Sequence, residues 1–255
     1  MSDPTLPGAT IAEHDGVRWL HLGDTPWVQG AMWVRAPNVI VLEYVQRMMA
    51  ALLWRPSAAL TLGHAVQLGL GAGAITRFCH RVLKLPRVTA VELNPAVIAA
   101  GRHGFKLGAD DARLSLVQAD AAAWIADPAR RASVDLLQVD LYDHEAAAPV
   151  VDTAAFYAAC RDALADGGVF SVNLFGRASS FAASASRIGE AFGVDHAWSL
   201  RPTREGNTVV VATRDVALPE RAELLARAST IERRFGLPAR QWLPMLRPLV
   251  RPSDP

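Results

Sequence analysis

From residue 64 to residue 192 the chain alternates between short apolar runs and helix-forming segments, and that alternation leaves few folds open to it. The apolar runs fall at 64–68, 87–92, 113–118, 134–139 and 168–173; helical composition fills 74–83, 95–103, 121–126, 153–164 and 179–192. A run that is apolar on consecutive residues suits a strand covered on both faces, and a helix-length connection returns the chain to lay the next strand parallel. The pattern predicts a mostly parallel sheet with helices on both sides. Two further runs, 194–200 and 208–212, have only residues 201–207 between them, too few for a helical crossover. They should pair antiparallel.

A mostly parallel seven-stranded sheet that ends in an antiparallel hairpin is the α/β, Rossmann-like arrangement of class I methyltransferase folds. Ahead of it, residues 17–22 and 27–34 read as a short N-terminal β-hairpin turning at Gly23-Asp24-Thr25-Pro26, followed by a helix over 42–54. A helix over 219–235 and a Pro-rich tail follow the sheet. The expected division is 1–56, hairpin and lead-in helix, and 57–255, the methyltransferase-like domain with its C-terminal helix. A hydrophobic content of 51% supports a sizeable core.

Charge excludes more than it selects. With 26 basic and 25 acidic residues the net charge is +1, which gives no global pull toward nucleic acid or an acidic membrane. Cys79 and Cys160 are far apart in helical segments and read as reduced packing thiols, and the histidines show no metal-ligand spacing, so no metal is expected. No apolar run reaches bilayer length and the N-terminus lacks the pattern of a secretory signal, which predicts a cytoplasmic protein.

In an open parallel sheet, ligands bind beyond the carboxyl ends of the strands. The first strand there leads into Gly69-Leu70-Gly71-Ala72-Gly73, where glycines permit a tight turn and close approach of backbone amides to a ligand. The second delivers Glu92, about 20 residues after the glycines, the spacing at which an acid can accept hydrogen bonds from ribose hydroxyls. The third delivers Asp120 and the small Ala121; the fourth delivers Asp140 and Asp143. Each alone has a plain structural explanation, Asp120 as a helix cap for instance. Four consecutive strand ends with suitable groups point to a nucleoside site.

Those residues carry a resemblance. From Val66 to Leu174 the chain resembles the spermidine synthase (polyamine aminopropyltransferase) family: LGLGAG at 68–73, AVELNPAVI at 90–98, ADA at 119–121, VDLYD at 139–143, and AFYAACRDALADGGV at 155–169. The resemblance implies a transferase of polyamine biosynthesis that moves an aminopropyl group from decarboxylated S-adenosylmethionine to a small-molecule amine or polyamine, releasing methylthioadenosine. It implies Gly69, Gly71 and Gly73 around the donor, Glu92 on the ribose, and Asp120 with Ala121 at the adenine. Gln29 within WVQGAM would touch the nucleoside. It places Asp140 and Asp143 at the acceptor amine, with Tyr142 or Tyr44 assisting. The chemistry agrees, because an amine attacks carbon only after losing a proton, and paired carboxylates both attract an ammonium and accept that proton.

The chain also departs from the family. Ala72 stands where the family carries an aspartate beside the donor's tail, His144-Glu145-Ala146-Ala147-Ala148 replaces the family's gate over the polyamine, and the N-terminus is short for the family's β-domain. S-adenosylmethionine itself is therefore a second candidate donor, and a methyltransferase or a non-catalytic nucleoside-binding protein are the alternative readings. NAD is a third, since Gly69-x-Gly71-x-x-Ala74 also satisfies a dinucleotide fingerprint, but the terminal hairpin and the Asp140/Asp143 pair count against it. A homodimer is among the assemblies the sequence allows.

Overall fold

The computed structural model describes residues 6–24, 27–56, 63–141, 151–175 and 178–249. At the N-terminus, β1 (Ala9–His14), β2 (Val17–Leu22) and β3 (Val28–Trp33) form a three-stranded antiparallel sheet rather than the expected hairpin. The additional strand turns into β2 at Asp15-Gly16, whose φ values of 53° and 74° are those of a two-residue hairpin turn. Nearly every residue of β1 is exposed, so it lacks the apolar alternation by which a strand is read.

The second sheet holds β4 (His64–Leu68), β5 (Arg87–Glu92), β6 (Leu114–Gln118), β7 (Val134–Val139), β8 (Leu164–Phe175), β9 (Ala197–Leu200), β10 (Asn207–Thr213) and β11 (Leu246–Pro248). Its order is β11-β9-β10-β8-β7-β4-β5-β6. The run from β8 to β6 is parallel, and β10 pairs antiparallel with both β8 and β9, as the short 201–207 connection requires. The sheet has eight strands where seven were expected. The extra one, β11, comes from the Pro-rich tail and lies at the edge, where Pro248 removes no ladder bond from a central strand.

Helices cover both faces, and successive residues of one strand feed two separate cores. Val209 and Val211 join one with α1 (Glu43–Met48), α2 (Ala74–Arg77), α3 (Pro95–Ala99) and α7 (Arg221–Phe235). Val210 and Ala212 join the other with α4 (Ala121–Ala126), α5 (Ala154–Ala163) and α6 (Ala178–Phe192). Trp242 of α8 (Ala239–Trp242) completes the first. The helix expected over 42–54 is α1 continued by a tighter 3-10 segment, Met49–Trp54; α2 and α3 each pass into a wider π-turn, at Phe78–Val82 and Ala100–Gly104. Local capping fixes where the helices begin. Asn94 accepts from the Ala96 amide with Pro95 behind it, and Thr153 accepts from the Phe156 amide at 3.1 Å. Among the described residues no helix is long and apolar enough to cross a membrane.

Candidate functional site

The chain runs outward from β4 through β5 to β6, then returns to place β7 on the other side of β4. Between β4 and β7 lies the switch point where open α/β sheets bind ligands. The loop after β4 and the residues after β7 meet there, joined by the Asp140 amide donating to the Leu68 carbonyl at 3.0 Å. Two glycines are required at this junction. Gly69 has φ 92° and a Cβ on it would lie 2.2 Å from the Asp140 carbonyl oxygen; Gly71 has φ 50° and a Cβ would lie 2.7 Å from the Gln29 carbonyl oxygen. The loop is thus pressed between the Asp140 backbone and β3 of the N-terminal sheet.

A cavity of about 850 Å³ opens between the strand ends and the N-terminal sheet. Gln29, Gly69, Gly71, Glu92, Asp120, Ala121 and Asp140 line it, so the structure brings these sequence-predicted residues together. Gly73 is set back, facing Arg77 and Leu107 as the left-handed residue before α2. Tyr142 and Asp143, with the His144–Glu145 replacement of the gate, lie outside the described residues. Ala72 is buried against Gly30, beside a recess of about 30 Å³ that also touches Tyr44 and Asp140.

One end of the cavity suits a nucleoside. The Glu92 carboxylate accepts from the Leu70 amide at 3.0 Å and from the Asn94 amide at 2.8 Å, which fixes its orientation at the end of β5. Burial pushes its pKa above the usual carboxylate range, opposed by the amides of Asn94, Leu70 and Leu93. The carboxylate still keeps lone-pair capacity for a ligand hydroxyl. Asp120 caps α4, its Oδ1 accepting from the Ala123 amide at 2.8 Å, and still reaches the cavity wall. Cap and ligand contact are compatible for a carboxylate with two oxygens. Ala121 follows as the first residue of α4, whose initial N–H groups have no partner within the helix.

The other end is built around Asp140. Its Oδ1 accepts from Asn173 Nδ2 at 3.0 Å and its Oδ2 from the Tyr44 hydroxyl at 3.1 Å. Burial raises the pKa of the carboxyl, against the lowering effect of those two hydrogen bonds. A carboxylate held in place with its proton affinity raised is suited to accept a proton from a nearby amine. Asn173, in β8, was not singled out from sequence; its signal is that it lies near the carboxyl end of the strand beside β7. Glu43 at the start of α1, Asn207 at the start of β10, Glu205 just before it and the Trp27–Phe175 ring pair also line the cavity, at element ends where no periodicity marks them. Among the described residues no cluster of three or more His, Cys, Asp or Glu could hold a metal ion. Both cysteines are free and buried, and burial pushes Cys79 up to about 12.

Comparison with known proteins gives a consistent set of likenesses. Residues 66–212 match the profile of the spermine/spermidine synthase domain. The chain is 32% identical over 233 residues to the polyamine aminopropyltransferase of Chromobacterium violaceum, spanning 91% of this chain and 86% of that protein. It is 30% identical over 233 residues to that of Neisseria meningitidis serogroup A, with the same 91% and 86% coverage. Among solved structures, a probable spermidine synthase from Corynebacterium glutamicum superposes with a TM-score of 0.71 at 17% identity, covering 88% of this chain and 83% of that one. Human methyltransferase-like protein 13 in complex with SAH superposes with a TM-score of 0.66 at 21% identity, covering 76% and 92%. At such identities these two superpositions speak for the Rossmann-like methyltransferase fold alone.

Proposed function

Because the chain belongs to the spermine/spermidine synthase family, we propose that it is a transferase moving an aminopropyl group from decarboxylated S-adenosylmethionine to an amine or polyamine acceptor. The observation that carries this reading is the Asp140 carboxylate, fixed by Tyr44 and Asn173 across the switch point from the loop of Gly69 and Gly71. In our reading Glu92 accepts the ribose hydroxyls while Asp120 and the start of α4 meet the adenine. Gln29 closes over the nucleoside from β3. The cavity volume, about 850 Å³, is ample for a nucleoside donor and an alkyl amine together.

Asp140 attracts the acceptor as an ammonium ion and takes a proton from it. The freed amine lone pair then attacks the methylene next to the sulfonium: a C–N bond forms, the C–S bond breaks, and its electron pair stays on sulfur in neutral methylthioadenosine. The proton left on the new secondary amine leaves to solvent or remains as the product's charge. Tyr44 lends Asp140 a hydrogen bond that keeps the carboxylate aimed at the amine. Asp143 and Tyr142 are proposed as further acceptor-side groups on the strength of VDLYD alone. Cytoplasmic location fits the same reading.

The test is product formation. Purified protein is incubated with a panel of amines and either decarboxylated S-adenosylmethionine or S-adenosylmethionine, and methylthioadenosine and aminopropylated amine are followed by mass spectrometry. The reading requires both products in equal amounts from the decarboxylated donor. Methylated amine from the ordinary donor, or neither product with any amine, would overturn it.

A further inference from the structure

The three residues that lead into α5, Val151, Asp152 and Thr153, are each held to something different. Thr153 caps the helix. Val151 lines the cavity and packs against the second core, as Leu141 does. Asp152 does not line the cavity; its carboxylate reaches α6 instead. Oδ2 accepts from Arg187 Nη1 at 2.6 Å and from the Ser184 hydroxyl at 2.9 Å, and Oδ1 accepts from the Tyr157 hydroxyl, further along α5, at 3.0 Å. Helices α4 and α5 share the second core and both start at the carboxyl edge of the sheet, so Val151 stands on the side of the cavity where Asp120 and Ala121 begin α4.

Two details show what this carboxylate contributes. The Ser184 hydroxyl also lies 3.1 Å from the Ser180 carbonyl, so it has an acceptor without Asp152. Apolar packing already joins the two helices: the Tyr157 ring meets Phe170 of β8 edge-on at 6.3 Å between centroids, and Phe170 stacks on Phe192 of α6 at 5.0 Å. What Asp152 adds is a polar tie at the cavity end of the pair. Its side chain is 19% exposed, against 37% for Arg187, so water screens the ion pair only in part. One peptide unit, about 3.8 Å between Cα atoms, separates the tied residue from the cavity wall. A displacement of the first is therefore passed to the second.

We propose that Asp152 is a positioning residue for the donor: by tying the start of α5 to Ser184 and Arg187 it holds Val151 as an apolar wall against the adenine, and so sets donor affinity without touching the donor. Such a wall works only at contact distance, since a gap of roughly 1 Å forfeits up to half of a contact's dispersion energy. The proposal rests on the reading of the cavity as a nucleoside-donor site, whichever group is then transferred.

The experiment titrates methylthioadenosine calorimetrically and measures KM for donor and amine in the parent, Asp152→Ala, Asp152→Asn, Arg187→Met, Val151→Ala and the Val151→Ala/Asp152→Ala double variant. The control is Arg161→Gln, which breaks the ion pair with Asp215 at the far end of the same helix. Asp152→Ala should weaken methylthioadenosine binding about threefold to tenfold, part of the worth of a charge-assisted hydrogen bond. The donor's KM should rise with it, while kcat and the amine's KM stay within about twofold. Arg187→Met should move the same way, and Asp152→Asn, which keeps an acceptor oxygen, should recover part of the loss. In Val151→Ala, the further change Asp152→Ala should cost little, because the wall it holds is gone. Unchanged donor affinity in Asp152→Ala, an effect as large in Arg161→Gln, or full additivity with Val151→Ala overturns the assignment. If no amine is turned over, the transfer reading fails while the titrations still decide the positioning role; a parent that binds no methylthioadenosine removes the nucleoside site and this role together. Thermal melts accompany each titration, and should Asp152→Ala not fold, Asp152→Asn and Arg187→Met carry the same comparison.

Discussion

Asp140 is stabilised by two donors and destabilised by burial, and those effects separate function from stability at a single residue. Because burial raises its pKa when folded, the folded protein holds a proton on this carboxyl to higher pH than the unfolded chain does. Above the unfolded pKa the ionised group therefore reduces stability as pH rises. In Asp140→Asn the charge is gone, and the Tyr44 hydroxyl can accept from the new amide where it formerly donated. Turnover should fall by about 10²–10⁴-fold, the usual contribution of a positioned base, while the melting temperature at pH 7 stays at or above that of the parent. Steady-state rates beside thermal melts decide it; a variant that keeps the parent rate removes Asp140 as the base. His64, far from the cavity, works in the opposite pH direction. It is 6% exposed and bonded to Thr89 Oγ1 at 2.9 Å and the Ser133 carbonyl at 3.1 Å. Burial, then the charge of Arg87, lower its pKa from 6.5 to about 4. The neutral ring belongs to the folded state, so its stability contribution is present above the unfolded pKa and is lost as pH falls through the folded one. Between pH 6.5 and 4 that loss amounts to about 3 kcal/mol. Urea unfolding from pH 7 to pH 4 should show it, and His64→Gln should flatten that part of the profile.

The loop after β4 shows how an element can be legible in outline and obscure in its contacts. Its glycines are plain in LGLGAG, yet only the structure shows that Gly71 is needed because the Gln29 carbonyl of β3 presses on it. Gly71→Ala must push β3 outward and hold a β-carbon at positive φ, which together should cost about 1–3 kcal/mol. Nucleoside affinity should fall with it, since the same movement withdraws Gln29 from the cavity. Denaturant unfolding and calorimetric titration with methylthioadenosine measure the two effects; unchanged values in both would mean that β3 does not brace the loop. The same contrast runs through the chain. Strands β4, β5 and β7 have their predicted bounds because buried parallel strands are apolar on consecutive residues. Strand β1 escaped notice because its face is exposed, although Asp15-Gly16 advertised its turn. At the site, Glu92, Asp120 and Asp140 were legible because the parallel sheet puts functional groups at strand ends. Asn173 was not, because its place beside Asp140 depends on which strand lies next to β7.

Taken whole, the molecule is a sheet with two cores and a small second sheet laid over its carboxyl end, and the cavity is the seam between them. Leu20 and Met32 of the small sheet enter the first core, and polar ties run from the same region into the body: Arg18 to the Gly104 carbonyl at 2.5 Å, Asn94 to the Pro7 carbonyl at 2.8 Å, Lys106 to the Val34 carbonyl at 3.0 Å. Arg77 adds a buried tie, reaching the carbonyls of Ala72 and Phe105 on the body and Pro37 on the segment that leaves β3. Its guanidinium, lowered by burial to about 10, remains charged at neutral pH and organises three segments, with no carboxylate partner among the described residues. A ligand in the seam contacts both layers, so its binding energy must appear in both. Methylthioadenosine at one hundred times its Kd should raise the unfolding free energy by about 2.7 kcal/mol. Amide hydrogen exchange should slow together over β2, β3 and the 69–73 loop, because opening the small sheet would then require release of the ligand. Protection confined to the 69–73 loop, with β2 and β3 exchanging as in free protein, would place the nucleoside on the large sheet alone and remove Gln29 from the site. Coupled protection would make the small sheet a functional half of the cavity, and Arg77→Met should then weaken the coupling while leaving the large sheet's own exchange little changed.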